Sequence, residues 1–124
     1  MKEVSKKNSF DLEERTQKMA ARVRIFLKKL YKTPANIEDS KQLIRSSASV
    51  AANYIEANEA LSKKDFLYRI KLCRKESKES ILFLRLLDTN DNYSQEEEKI
   101  KLIQETTELM KIFGAIVSPS KLNR

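Results

Sequence analysis

Across 124 residues there is a single glycine, Gly114, and only two prolines, Pro34 and Pro119. Hairpins and many-stranded sheets need such residues at their turns, where the backbone must take positive φ or a fixed bend. A chain almost without them is confined to long unbroken elements joined by short polar connections. Apolar spacing says which elements these are. Leu12, Met19, Val23, Phe26 and Leu30 recur at threes, fours and sevens, the stripe of a helix facing a core. The same periodicity continues down the chain and predicts four helices, over about residues 11–32, 38–60, 63–88 and 95–117.

The expected boundaries follow from end chemistry. Acids at Asp11, Glu13 and Glu14 and lysines at Lys28, Lys29 and Lys32 suit the two ends of a helix dipole. Thr33-Pro34 ends that helix. Ser62 with Asp65 opens the third helix, Ser94 with Glu97 opens the fourth, and Pro119 stops it. Met1–Ser9 and Ser118–Arg124 read as frayed tails. Connections this short predict one all-α domain, an antiparallel up-down-up-down four-helix bundle.

Histidine is absent and cysteine occurs once, at Cys73. Missing with histidine are the usual general base near neutral pH, every Ser-His or Cys-His nucleophile pair and the Glu-x-x-His metal sites of ferritin-like bundles. No other spacing argues for a catalytic pair, a cofactor or a metal, so the expectation is a protein that is not an enzyme. Cys73 falls on the apolar stripe of the third helix and reads as a core thiol. A lone cysteine fits a reducing cytoplasm. No apolar run is long enough for a signal peptide or a membrane span. Glu96-Glu97-Glu98 reads as a favourable first helical turn.

Ser46 to Ala57, "SSASVAANYIEA", is the anomaly of the chain: short side chains and little charge among lysines. On a helix, Leu43, Ser47, Val50 and Tyr54 form one strip, and Ile44, Ala48, Ala51 and Ile55 form the strip beside it. Together they span roughly 160°, wider than the ~100° a surface helix needs. Ser46, Ser49, Asn53 and Glu56 make a polar flank. Such a helix is contacted on more than one side, either by two bundle neighbours or by a second subunit as well. Ser47, Ala48, Ala51, Asn53, Tyr54 and Glu56 are the candidates for that packing or subunit interface. Asn53 and Glu56 are expected to hydrogen-bond across a helix or subunit seam. Leu82, Phe83 and Leu86, together with Ile103, Met110 and Val117, widen the apolar arcs of the third and fourth helices. Apolar surface beyond what one small bundle buries predicts a homo-oligomer.

The stretch Leu43 to Leu87 resembles the small four-helix-bundle proteins of the bacterial 23S rRNA intervening-sequence family. The resemblance rests on Arg45-Ser46-Ser47, on Ser49-Val50-Ala51-Ala52-Asn53-Tyr54-Ile55-Glu56-Ala57, on Ser62-x-x-Asp65-Phe66 and on Lys75-Glu76-x-x-Glu79. It implies a homopentameric ring of bundles around a channel. It also implies kinship with the accessory variability proteins of diversity-generating retroelements, pentamers that bind a reverse transcriptase and nucleic acid. The family often has glycine where Ala51 stands and tryptophan where Phe83 stands.

A formal charge of +7 favours polyanionic partners. Lys64, Lys71, Lys75, Lys78 and Arg85, with Arg74 beside them, fall in one stripe of the third helix, about 30 Å long. Such a line suits the phosphate backbone of RNA or DNA. Tyr68 reads as lying off the stripe, so binding would be led by the backbone and weakly sequence-selective. Two readings follow: a nucleic-acid-binding oligomer, an accessory factor to a reverse transcriptase or another protein partner, or a protein-interaction scaffold whose basic face only aids solubility.

Overall fold

The computed structural model describes the backbone of residues 2–119 and the side chains of residues 12–119. It contains four helices, α1 (Lys2–Lys28), α2 (Pro34–Asn58), α3 (Lys63–Leu86) and α4 (Tyr93–Val117), and no strand among the described residues. α1 packs against α2 and α4, and α3 packs against the same two, so contacts run around a square without backbone contact along its diagonals. The centre is filled by Met19, Val23 and Phe26 from α1, Leu43 and Val50 from α2, Ile70 and Leu84 from α3, and Leu102 and Leu109 from α4. Tyr54 and Phe113 meet across one diagonal, ring centroids 6.1 Å apart and tilted by 40°, within the range where aromatic pairs attract.

Three helix starts differ from expectation, each for a local reason. α1 begins at Lys2, not near Asp11, because nothing between them breaks a helix; apolar periodicity marks only the part that packs. Asp11, Glu13 and Glu14 therefore sit inside α1, away from its positive end. The tail expected at Met1–Ser9 is thus helical from Lys2, while Met1 and residues 120–124 lie outside the described residues. α2 begins at Pro34, not Glu38: Thr33 is its N-cap, and its hydroxyl accepts from the Asn36 N–H at 3.0 Å. Proline suits this first position because its missing N–H would have no partner there. α4 is capped by Asn92, not Ser94; Asn92 Oδ1 accepts from the Gln95 N–H at 2.9 Å and from the Ser94 hydroxyl. At α3 Ser62 is the cap, accepting from the Asp65 N–H at 3.1 Å.

One end of the bundle is tied by a buried asparagine. Asn36 Nδ2 donates to the Tyr31 and Asp88 carbonyls, at 2.6 and 2.8 Å, and Asn36 Oδ1 accepts from the Asp88 N–H at 3.0 Å. The α1–α2 and α3–α4 connections are thereby joined. Beyond Asp88 the chain turns through Asn90 and Asp91 at φ of 54° and 59°, the left-handed region these two residue types tolerate best after glycine.

Candidate nucleic-acid interface

α3 divides its residues three ways. Ile70, Cys73, Ser77, Ile81 and Leu84 are buried in the core. A second strip meets α2 and is polar. Ser46 and Ser80, both fully buried, share a hydrogen bond of 2.8 Å. Arg69 donates to Asn53 Oδ1 at 3.1 Å, so Asn53 does bond across a helix seam. Arg45 Nη2 lies 2.8 Å from Glu79 and 3.3 Å from Glu76. Glu76 Oε1 is buried and accepts no hydrogen bond, whereas Glu76 Oε2 accepts one from Arg45 Nη1 at 3.4 Å. Hydrogen bonding to Glu76 and the charges of both carboxylates hold the Arg45 guanidinium above its ordinary value, against a smaller opposing effect of desolvation.

The third strip faces outward and carries the predicted cations. Lys64, Lys71, Arg74, Lys75, Lys78 and Arg85 are all exposed, and no ion pair or side-chain hydrogen bond engages any of them among the described residues. Arg74 leans toward α4, where its Nε lies 3.5 Å from the point a side-chain carbon on Gly114 would occupy. The two glutamates in the middle of α3 do not dilute this surface, because Arg45 draws both toward α2. Lys99 adds a cation at the C-terminal end of α3, donating to the Arg85 and Leu87 carbonyls at 3.3 and 2.8 Å, where unpaired carbonyls favour one.

Tyr68 corrects the sequence reading. It stands four residues after Lys64 and three before Lys71, which places it on their strip, and it is 57% exposed with the Arg69 guanidinium 5.7 Å from its ring centre. Leu82 and Leu86 are exposed as well. The outward face is therefore cationic with apolar side chains between the charges. At its Lys64 end, Tyr68 and Arg69 border a hollow of about 320 Å³ rimmed by Glu56, Glu59 and Asp65, so the stripe is free of acids only from Lys71 onward.

The interface candidates on α2 separate. Ser47, Ala51 and Tyr54 are buried within the single bundle, Tyr54 almost completely; Ala48 and Asn53 are half-buried and Glu56 is exposed. Ile44 and Ile55, from the strip of Ala48 and Ala51, remain 36% and 40% exposed. Cys73 is fully buried, its thiol directed at the Val50 carbonyl 3.6 Å away, and burial pushes its pKa up to about 12. Sequence reasoning missed the Arg45–Glu76–Glu79 cluster and the partner of Asn53, Arg69. The motif held the three members of the cluster, but not the helix register that brings them together.

The family model for the 23S rRNA-intervening sequence protein matches residues 8–115. The chain belongs to that family. A crystal structure from Bacteroides thetaiotaomicron VPI-5482, of a protein with unknown function from the S23 ribosomal protein family, is 27% identical to it. The two superpose with a TM-score of 0.76, covering 89% of this chain and 97% of the other. No curated protein matches. This member of the family has, among its described residues, no cluster of acids and cysteine placed to hold a metal ion and no helix long and apolar enough to cross a membrane.

Proposed function

We propose that the protein is a non-enzymatic, homo-oligomeric bundle of the cytoplasm that binds the backbone of RNA or DNA through the outward face of α3. One observation carries this: six exposed cations lie along one helix without a carboxylate partner. Fixed charge left unpaired on one face is what a phosphate backbone, releasing its counterions, rewards. The order of the cross-helix pairs, 15 with 105 and 22 with 98, then 45 with 79 and 53 with 69, supports an up-down-up-down arrangement. Exposed Ile44 and Ile55 support assembly, and the family resemblance supports a pentamer, in which five stripes would act on one strand with high effective concentration. A role as accessory factor to a reverse transcriptase rests on that resemblance alone. Tyr68, Leu82 and Leu86 between the cations favour a second reading, a scaffold holding an acidic, partly apolar protein.

A salt titration of binding to RNA and to DNA separates the two. Binding should weaken steeply as salt rises. Lys71→Glu with Lys75→Glu should weaken RNA and DNA alike, and the log–log salt slope should become shallower by about 0.7–0.9 per lost phosphate contact. Sequence preference should not move, because phosphate contacts carry no base information. A parent protein that binds neither nucleic acid at low ionic strength would leave the scaffold reading in its place.

A further inference from the structure

Charge is distributed unevenly outside α3 too. Residues 22–45 carry seven lysines and arginines against two acids, whereas residues 88–108 carry seven acids against two lysines. The basic segment frames a groove between the second half of α1 and the first half of α2. Its volume is about 420 Å³; Leu27, Ile37 and Ile44 form an almost wholly apolar floor, and Lys28, Lys32 and Lys41 stand on its rim. The acidic segment carries on its outside the reverse of that surface. Tyr93 and Ile100, seven residues apart on α4, are 81% and 49% exposed, and Glu96 and Glu97 are exposed between them.

The two surfaces also lie at one level along the bundle. Asn36 joins Asp88, Arg22 joins Glu98 at 3.3 Å, and Lys29 and Tyr31 share a hollow with Asn92 and Gln95. They face different sides of the molecule at the same height. A head-to-tail contact between surfaces so placed repeats by rotation with little climb, and so closes into a ring where a contact between different heights would wind into a filament.

We propose that the acidic outer face of α4, from Tyr93 to Ile100, seats in the basic-rimmed groove between α1 and α2 of a second copy of this chain, head to tail. This rests on the oligomeric reading above and names the two faces that meet. Apolar side chains fill the groove while glutamates meet lysines at the rim, where charge steers encounter and fixes register.

Sedimentation and light scattering of the full chain test it. Wild-type assembly should weaken as salt rises. Lys32→Glu with Lys41→Glu should raise the concentration needed for assembly by roughly tenfold or more, and Glu96→Lys with Glu97→Lys should do the same, each with wild-type helicity. An equal mixture of the two variants should associate again, into dimers and even-numbered or open assemblies and not five-membered rings. The reversed groove of one matches only the reversed helix of the other, and five cannot alternate. Should a double reversal lose helicity, the single changes Lys41→Glu and Glu97→Lys, at exposed positions, carry the same expectations. If wild type assembles and both variants assemble as wild type does, or if the mixture fails to associate, the paired faces are wrong and the oligomer stands. If wild type is a monomer across micromolar concentrations, the oligomeric reading falls and this pairing with it.

Discussion

The α2–α3 seam and the α1–α4 seam solve one packing problem with opposite materials. Besides half-exposed Arg45 and Arg69 links of its own, the α2–α3 seam holds small groups out of water that α1–α4 does not match: the Ser46–Ser80 hydroxyl pair at 2.8 Å, and the Cys73 thiol against the Val50 carbonyl. Between α1 and α4 the described polar links are long and half-exposed. Arg15 grips Glu105 through two hydrogen bonds, at 2.8 and 3.1 Å, and Arg22 reaches Glu98 at 3.3 Å. Small buried groups require one register and close backbones, and a misplaced atom leaves a polar group unsatisfied. Long exposed pairs span a range of separations at little cost and contribute little in return. One seam specifies the fold; the other tolerates change.

The comparison breaks most readily at high pH. In the unfolded chain the Cys73 thiol ionises near its ordinary value of 9.0, whereas in the fold burial keeps its proton on to about 12. Between those values the folded state holds a proton the unfolded state has lost, so stability falls as pH rises, by roughly 1.4 kcal/mol per unit. Urea denaturation at pH 8.5 and 10.5 should show wild type losing about 2 kcal/mol more than Cys73→Ala over that interval. Equal losses would mean that the thiol is not held dry between the helices.

Overpacking the same seam comes next. Ser46→Leu places a branched side chain where Ser80 now sits at hydrogen-bonding distance, and should cost about 1–3 kcal/mol in denaturant unfolding. A smaller loss than the Arg22 change below would reverse the ranking of the two seams. Least should come from α1–α4: Arg22→Ala should cost about 0.2–1 kcal/mol, and the loss should shrink in about 0.5 M salt, where the Debye length falls below about 5 Å.

Much of this architecture is legible in the residues. Leu12, Met19, Val23, Phe26 and Leu30 were marked by helical spacing, and all are buried. Local chemistry that admits two outcomes was less legible. Thr33-Pro34, read as the end of the first helix, caps the second instead, α1 having ended at Lys28, and Asn92 outcompetes Ser94 for the α4 cap. The six cations of α3 could be placed on one face from spacing alone, but Tyr68 was set apart although i and i+4 share a strip. The Arg45–Glu76–Glu79 cluster was out of reach for a different reason. Its members lie 31 and 34 residues apart, and only the register of α2 on α3 decides that they meet.

Asn36 gives the bundle two unlike poles. At its own pole, one carboxamide holds the Tyr31 carbonyl and both backbone groups of Asp88, so the two crossings there are stitched into a single unit. At the other pole the α2–α3 crossing passes through Leu61, which is 99% exposed. New chain termini or an inserted tag are accommodated where backbone is free of such stitching. Cutting or lengthening the chain beside Leu61 should leave the four helices assembled, whereas the same operation beside Asp88 would unpick both crossings at once.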